Sequence, residues 1–125
     1  RKKQCYWQMI RTLKKNDNDP SLEAQLYLKA VSLYDENYKY LASLLNSFAW
    51  RMTEIGQLLP EALEKVNNAL EIKEDLKILD TKAEVLWKLG RVEEAIKVIN
   101  ECIQGNPEYK HYQDQKAKFL ATKAL

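Results

Sequence analysis

A chain of 125 residues, 46% of them apolar, can bury one sizeable core, and its net charge of only +2 excludes a dedicated polyanion binder. No apolar run approaches the roughly 18 residues of a membrane span, and no secretory-signal pattern opens the chain. The basic Arg1-Lys2-Lys3 start reads as a solvated helix end, and the absence of an initiator Met suggests a segment excised from a longer protein.

Helical periodicity recurs along the whole sequence, and no useful alternating pattern of a strand is found. The spacing predicts a first helix over about Lys2 to Lys15, with Tyr6, Met9, Ile10 and Leu13 on one side, and then a polar loop, Asn16-Asp17-Asn18-Asp19. A second helix is expected from Pro20 to about Tyr34. A third runs from about Tyr38 to Ile55, with Leu41, Leu45, Phe48, Ala49 and Met52 on its apolar stripe. Further helices are expected over Pro60 to Ile72, about Asp75 to Leu89, about Val92 to Gln104, and from Pro107 onward. Gly56, Gly90 and Gly105 each close a stripe, as left-handed caps would. Pro20, Pro60 and Pro107 each open one, with Asp19 and Asn106 as N-caps for two of them.

The chain also matches itself. Leu45, Asn46, Ser47, Ala49 and Gly56 align with Leu79, Asp80, Thr81, Ala83 and Gly90 at an offset of 34. Downstream, Glu61-Ala62-Leu63 aligns with Glu94-Ala95-Ile96, and Ala69-Leu70 with Cys102-Ile103, at 33, so the first copy carries one extra residue between Gln57 and Pro60. A period of this length marks stacked helix pairs, each too small to bury its apolar face alone. Small residues at Ala49, Ala62, Ala69, Ala83, Ala95 and Cys102 would let the helices cross closely.

Residues Leu79 to Pro107, through Ala83, Leu89-Gly90-Arg91, Glu94-Ala95-Ile96, Ile99, Cys102-Ile103 and Asn106-Pro107, resemble a tetratricopeptide repeat. The resemblance implies an all-α fold, a right-handed stack of antiparallel helix pairs with about seven helices in one domain. Residues 1–35 would form a degenerate leading pair, 41–75 and 76–109 two repeats, and 110–125 a capping helix. A narrower resemblance links Leu45-Asn46-Ser47-Phe48-Ala49-Trp50 and Leu79-Asp80-Thr81-Lys82-Ala83 to the helical tail of certain bacterial thioredoxin-like envelope proteins. It implies an accessory domain to a thiol-redox domain absent from this chain, and a periplasmic or envelope location; otherwise the cytoplasm is expected.

No enzyme constellation is visible, and no cofactor or metal is expected. The two cysteines, Cys5 and Cys102, lie far apart without metal-ligand spacing; Cys102 reads as a small packing residue, and a disulfide between them is not expected. His111, the sole histidine, reads as a solvated surface residue, and Glu93-Glu94 as dipole partners at a helix start.

The expected function is therefore binding: a non-catalytic module that takes a protein or peptide, or another domain of the same protein, in its concave groove, with neither nucleic acid nor membrane insertion expected. The resemblance lines that groove with the first helix of each pair. Its candidate residues are Asn46, Trp50 and Thr53 from one copy and Asp80, Glu84, Trp87 and Lys88 from the next, with Ser43, Glu54 and Lys77 beside them. Trp50 and Trp87 stand beside the core stripes and are candidate anchors. Asp80 and Glu84 argue against a lysine and asparagine grip on a carboxylate, and favour a partner with some positive charge.

Overall fold

The computed structural model describes residues 2–16 and 19–125. Among them lie seven helices and no strand: α1 (Lys2–Asn16), α2 (Pro20–Val31), α3 (Leu41–Ile55), α4 (Leu59–Ile72), α5 (Leu76–Lys88), α6 (Val92–Gly105) and α7 (Lys110–Lys123). Short connections make successive helices antiparallel neighbours. Thus α1 packs on α2, α3 on α4 and α5 on α6, and the pairs stack through α4–α5, α3–α5 and α6–α7.

Apolar burial follows the pairs. One cluster surrounds Phe48, Met52 and Val66, a second Leu86, Ile99 and Phe119, and a third Ile10, Leu26 and Ala30; half-buried Leu63 joins the first two. Each fully buried large side chain contributes roughly 1.5–3 kcal/mol relative to exposure. Ala49, Ala62, Ala69, Ala83, Ala95 and Cys102 are all completely excluded from solvent. These are the small residues expected at the helix crossings. Any of them enlarged would hold two backbones apart.

The punctuation is partly as expected. Asp19 accepts a hydrogen bond from the Leu22 amide (3.0 Å), and Pro20 opens α2. Gly56 and Gly90 turn left-handed, with φ of +66° and +82°. The extra residue of the first copy is absorbed at Leu58, whose φ is +48°. That conformation crowds any side chain, and local packing of Leu58 on the first cluster holds it there.

Three expected boundaries move. Helix α2 stops at Val31, where the Leu33 and Tyr34 amides turn to the Ala30 and Val31 carbonyls (3.2 and 3.1 Å), and the Asp35 carboxylate then accepts from the Asn37 amide (2.9 Å) in a further turn. Helix α3 starts only at Leu41; Tyr34, Tyr38 and Tyr40 stack in the connection, with ring centroids 4.6 and 5.8 Å apart. Helix α7 starts at Lys110, since Pro107 sits in a turn closed by the Tyr109 amide on the Asn106 carbonyl (3.2 Å). Asn106 caps the end of α6 through its own N–H and is not an N-cap. Gly105 is the last residue of α6 and not a left-handed cap; a Cβ there would come within 2.7 Å of Leu76, so close approach explains it. The loop expected at 16–19 falls partly on Asp17 and Asn18, which lie outside the described residues, as does Arg1.

The leading pair is attached differently from the rest. Helices α1 and α3 share no backbone neighbours. Aromatic rings fill the gap: Trp7 meets Tyr27 edge-on and Tyr27 meets Phe48 edge-on, each with centroids 5.3 Å apart. The Trp7 indole N–H donates to the Tyr34 hydroxyl (2.9 Å). Glu23, almost fully buried on α2, accepts both Nε (2.6 Å) and Nη2 (2.9 Å) of Arg51 on α3. This two-pronged geometry fixes orientation as well as distance.

Candidate functional site

Side chains from the odd-numbered helices and from Tyr27 enclose an open cavity of about 420 Å³. Asn46, Ser47, Trp50, Arg51 and Glu54 reach it from α3, Lys77, Asp80 and Thr81 from α5, Lys14 from α1 and His111 from α7. Helical spacing accounts for the α3 set, since positions three and four apart share a face. Lys14 completes the cavity because α1 stands off α3.

The seven candidate groove residues divide into four groups. Asn46 and Trp50 line the cavity, both half-buried. The Asn46 side-chain oxygen is the single buried side-chain N or O atom among the described residues without a hydrogen-bond partner. Such an atom costs about 1–3 kcal/mol when left unsatisfied. Lys88 is exposed, its ammonium 5.2 Å from the centre of the Trp87 ring.

Asp80, Glu84 and Trp87 are turned to α7. The Gln115 amide donates to Asp80 and to Glu84, both at 3.1 Å. Lys118 donates to Glu84 (2.7 Å), and His111 Nε2 lies 2.8 Å from the second oxygen of Asp80. Both carboxylates are largely buried beneath these partners. The Trp87 indole N–H donates to Thr122 (2.9 Å), its ring lies against Phe119, and Lys118 sits 4.4 Å from its centre. Both carboxylates thus have hydrogen-bond partners within the chain, although Asp80 also lines the cavity. Thr53 is buried, with its hydroxyl on the Trp50 carbonyl, because it falls on the core side of α3. It does not line the cavity.

His111 is not the solvated residue expected; it lies half-buried against Asp80. Lys14, Tyr27 and Arg51 were not among the expected groove residues either. Tyr27 and Arg51 carry a legible signal only in pairs. A buried Glu23 needs a cation, and burial together with Glu23 pushes the Tyr27 hydroxyl up to about 12. The hydrogen bond to Glu23 holds the Arg51 guanidinium more firmly charged than usual.

Cys5 is exposed and Cys102 buried, both as free thiols. Burial foremost, then Asp80 and Glu101, push the Cys102 thiol up to about 12, and its sulfur rests 3.5 Å from the Leu76 carbonyl. No three His, Cys, Asp or Glu side chains converge as metal ligands among the described residues. No helix among them is long and apolar enough to cross a membrane.

No protein-family model matches the sequence, and no curated protein matches it. Among solved structures, the chain is similar to the crystal structure of a tetratricopeptide repeat protein from Parabacteroides merdae ATCC 43184, with a TM-score of 0.72 and 19% identity. The match covers 94% of this chain and 45% of that one, so the chain spans less than half of its structural neighbour's length. The arrangement of seven helices in stacked antiparallel pairs is an all-α, tetratricopeptide-repeat-like fold.

Proposed function

We propose that this chain is a non-catalytic protein- or peptide-binding module that takes a segment of its partner into the cavity between α1, α3, α5 and α7. The observation that carries the reading is Asn46, a cavity-lining residue beside half-buried Trp50 whose amide oxygen is buried with no donor of its own. Turned about its side-chain bonds, the Asn46 amide offers that oxygen to a backbone N–H of an extended peptide, whose side chain Trp50 covers. The Trp50 indole donates to no atom among the described residues, so it too is free to bond a ligand. Lys14 and Lys77 line the same cavity and form no ion pair among the described residues, and Asp80 is already bonded to α7. Polar or acidic peptide segments therefore suit the cavity better than basic ones.

The test is selection from a random peptide library, followed by affinity measurement on the selected peptides. Trp50→Ala and Asn46→Ala are expected to weaken binding by about tenfold or more each, without altering the melt substantially. Amide chemical-shift changes are expected on α3 and α5. Peptides that bind both variants as well as the parent would overturn the cavity as the binding site.

A further inference from the structure

The charge balance of the whole chain hides a segregation. Residues 1–16 hold six of the 20 lysines and arginines and none of the 18 acidic residues, so residues 17–125 carry four more acids than bases. In the fold, Lys2, Lys3, Arg11, Lys14 and Lys15 are all exposed on α1, and Lys29 is exposed near the end of α2. Every ion pair among the described residues draws its cation from Arg51 or beyond. Among the described residues, two acids of this end are already engaged: Asp19 caps α2 and Glu23 is buried on Arg51.

These bases border an apolar groove. Between α1 and α2 lies an open cleft of about 390 Å³, with Leu13 and Leu26 at its floor and Met9 and Leu22 on its rims. Met9 and Leu22 are 48% and 45% exposed, a large fraction for apolar side chains on facing helices. At about 100° per residue, Arg11 and Lys15 flank the α1 rim across Gln8 and Thr12, and Lys29 continues the stripe of Leu22 and Leu26 on α2. The surface is thus an apolar trough bordered by exposed cations that form no ion pair among the described residues.

We propose that this end of the stack is a second docking surface, and that its occupant is an acidic amphipathic helix of a protein partner. The apolar ridge of that helix enters the cleft between Met9 and Leu22, and its carboxylates meet Arg11, Lys15 and Lys29. Charge complementarity selects the sign, and the cleft selects the shape: an inter-helix groove takes the ridge of a third helix. A flat anionic bilayer reaches Met9 and Leu22 but not Leu13 and Leu26 between them. A single-stranded nucleic acid would want stacking platforms, but Tyr6 and Trp7 of α1 are packed inward on the third cluster, and a duplex presents phosphates with no apolar ridge to fill the cleft. The surface is separate from the Trp50 cavity and stands whether or not that cavity binds peptides.

The probe is a fluorescein-labelled, end-capped peptide of about 18 residues, with leucines at helical spacing and glutamates elsewhere. Fluorescence anisotropy with the full chain is expected to show binding that weakens with salt. The double variant Met9→Asp with Leu22→Asp should lose about tenfold or more. The triple variant with Arg11, Lys15 and Lys29 each changed to Gln should bind more weakly and lose most of the salt dependence. All five positions are exposed, and circular dichroism melts would confirm that both variants fold. A scrambled peptide of the same composition that binds equally well would overturn the proposal. So would binding unmoved by either variant. Capture by phosphatidylserine vesicles or duplex DNA, with no binding of the helical peptide, would overturn it in favour of a lipid or nucleic-acid surface.

Discussion

Asn46 and Asp80 stand 34 residues apart at equivalent places on α3 and α5, and only Asp80 is satisfied by the next odd-numbered helix, α7. His111 and Gln115 reach Asp80 from 31 and 35 residues downstream. The residues at those offsets from Asn46 are Lys77 and Thr81. Neither bonds it: Thr81 donates back to the Lys77 carbonyl (3.1 Å), and Lys77 is exposed. The same geometry is thus closed in one copy and open in the next, and the open copy is where the cavity lies.

Removing the donor that closes the second copy should destabilise the fold. Gln115 bonds both Asp80 and Glu84, which sit one helical turn apart with like charges. Gln115→Ala leaves both buried carboxylates short of a partner and is expected to cost about 1–3 kcal/mol. Chemical denaturation would read this. A midpoint equal to the parent's would mean that His111 and Lys118 suffice.

Cutting the clip between α2 and α3 should cost more. Arg51→Met leaves the Glu23 carboxylate buried without its cation, a class of change that typically costs about 3–5 kcal/mol. Adding Glu23→Gln to Arg51→Met should recover a good part of that loss, because the unpaired charge is then gone. A double-mutant cycle on thermal melts measures both. If the double variant were as unstable as Arg51→Met, packing rather than charge would be the cause.

These two networks show where sequence reasoning succeeds and where it stops. Helix pairing and core register were legible because Ala49 and Ala83, Ala62 and Ala95, and Ala69 and Cys102 recur at a fixed offset, and a periodic sequence describes its own packing. Trp50 and Asn46 were legible for the same reason, as positions beside the stripe. Thr53 was misplaced because one residue's step round a helix turns a side chain from groove to core. His111 was misread because its partner Asp80 lies 31 residues away, where no local pattern points. Lys14 was invisible as a cavity residue because the leading pair does not repeat the geometry of the others, and α1 stands off α3. The segregated charge of residues 1–16 was present in the sequence, but a net charge of +2 conceals it.

Overpacking a crossing tests the repeat register directly. Ala83 and Ala95 are both fully buried where α5 and α6 pack on one another and on α7. Ala95→Trp or Ala83→Trp forces the helices apart and should cost roughly 1–3 kcal/mol or more. Melting followed at 222 nm by circular dichroism is the measurement. A variant that melts like the parent would show that the position does not lie at a crossing.

Alkaline pH should destabilise the fold through groups buried in their protonated form. Burial is the first cause that pushes Cys102 up to about 12 from 9.0, and Tyr27 and Tyr112 up to about 12 from 10.0. Above pH 9 the unfolded chain begins to lose these protons while the folded chain keeps them. The unfolded state then binds fewer protons than the native state, so stability falls as pH rises. The stabilisation is fully present below about 9 and is lost progressively toward about 12. Each group steepens the decline by up to about 1.4 kcal/mol per pH unit within its own window. Between pH 9 and 10 the thiol acts almost alone. Cys102→Ala places there the residue that the preceding copy carries as Ala69, so it should fold, and it removes the titrating group. Urea denaturation at several pH values from 8 to 11 should show a flatter decline for Cys102→Ala than for the parent, most clearly over that first unit. Parallel declines would mean that the thiol is not held protonated by burial, and that the tyrosines or the lysines set the alkaline limit.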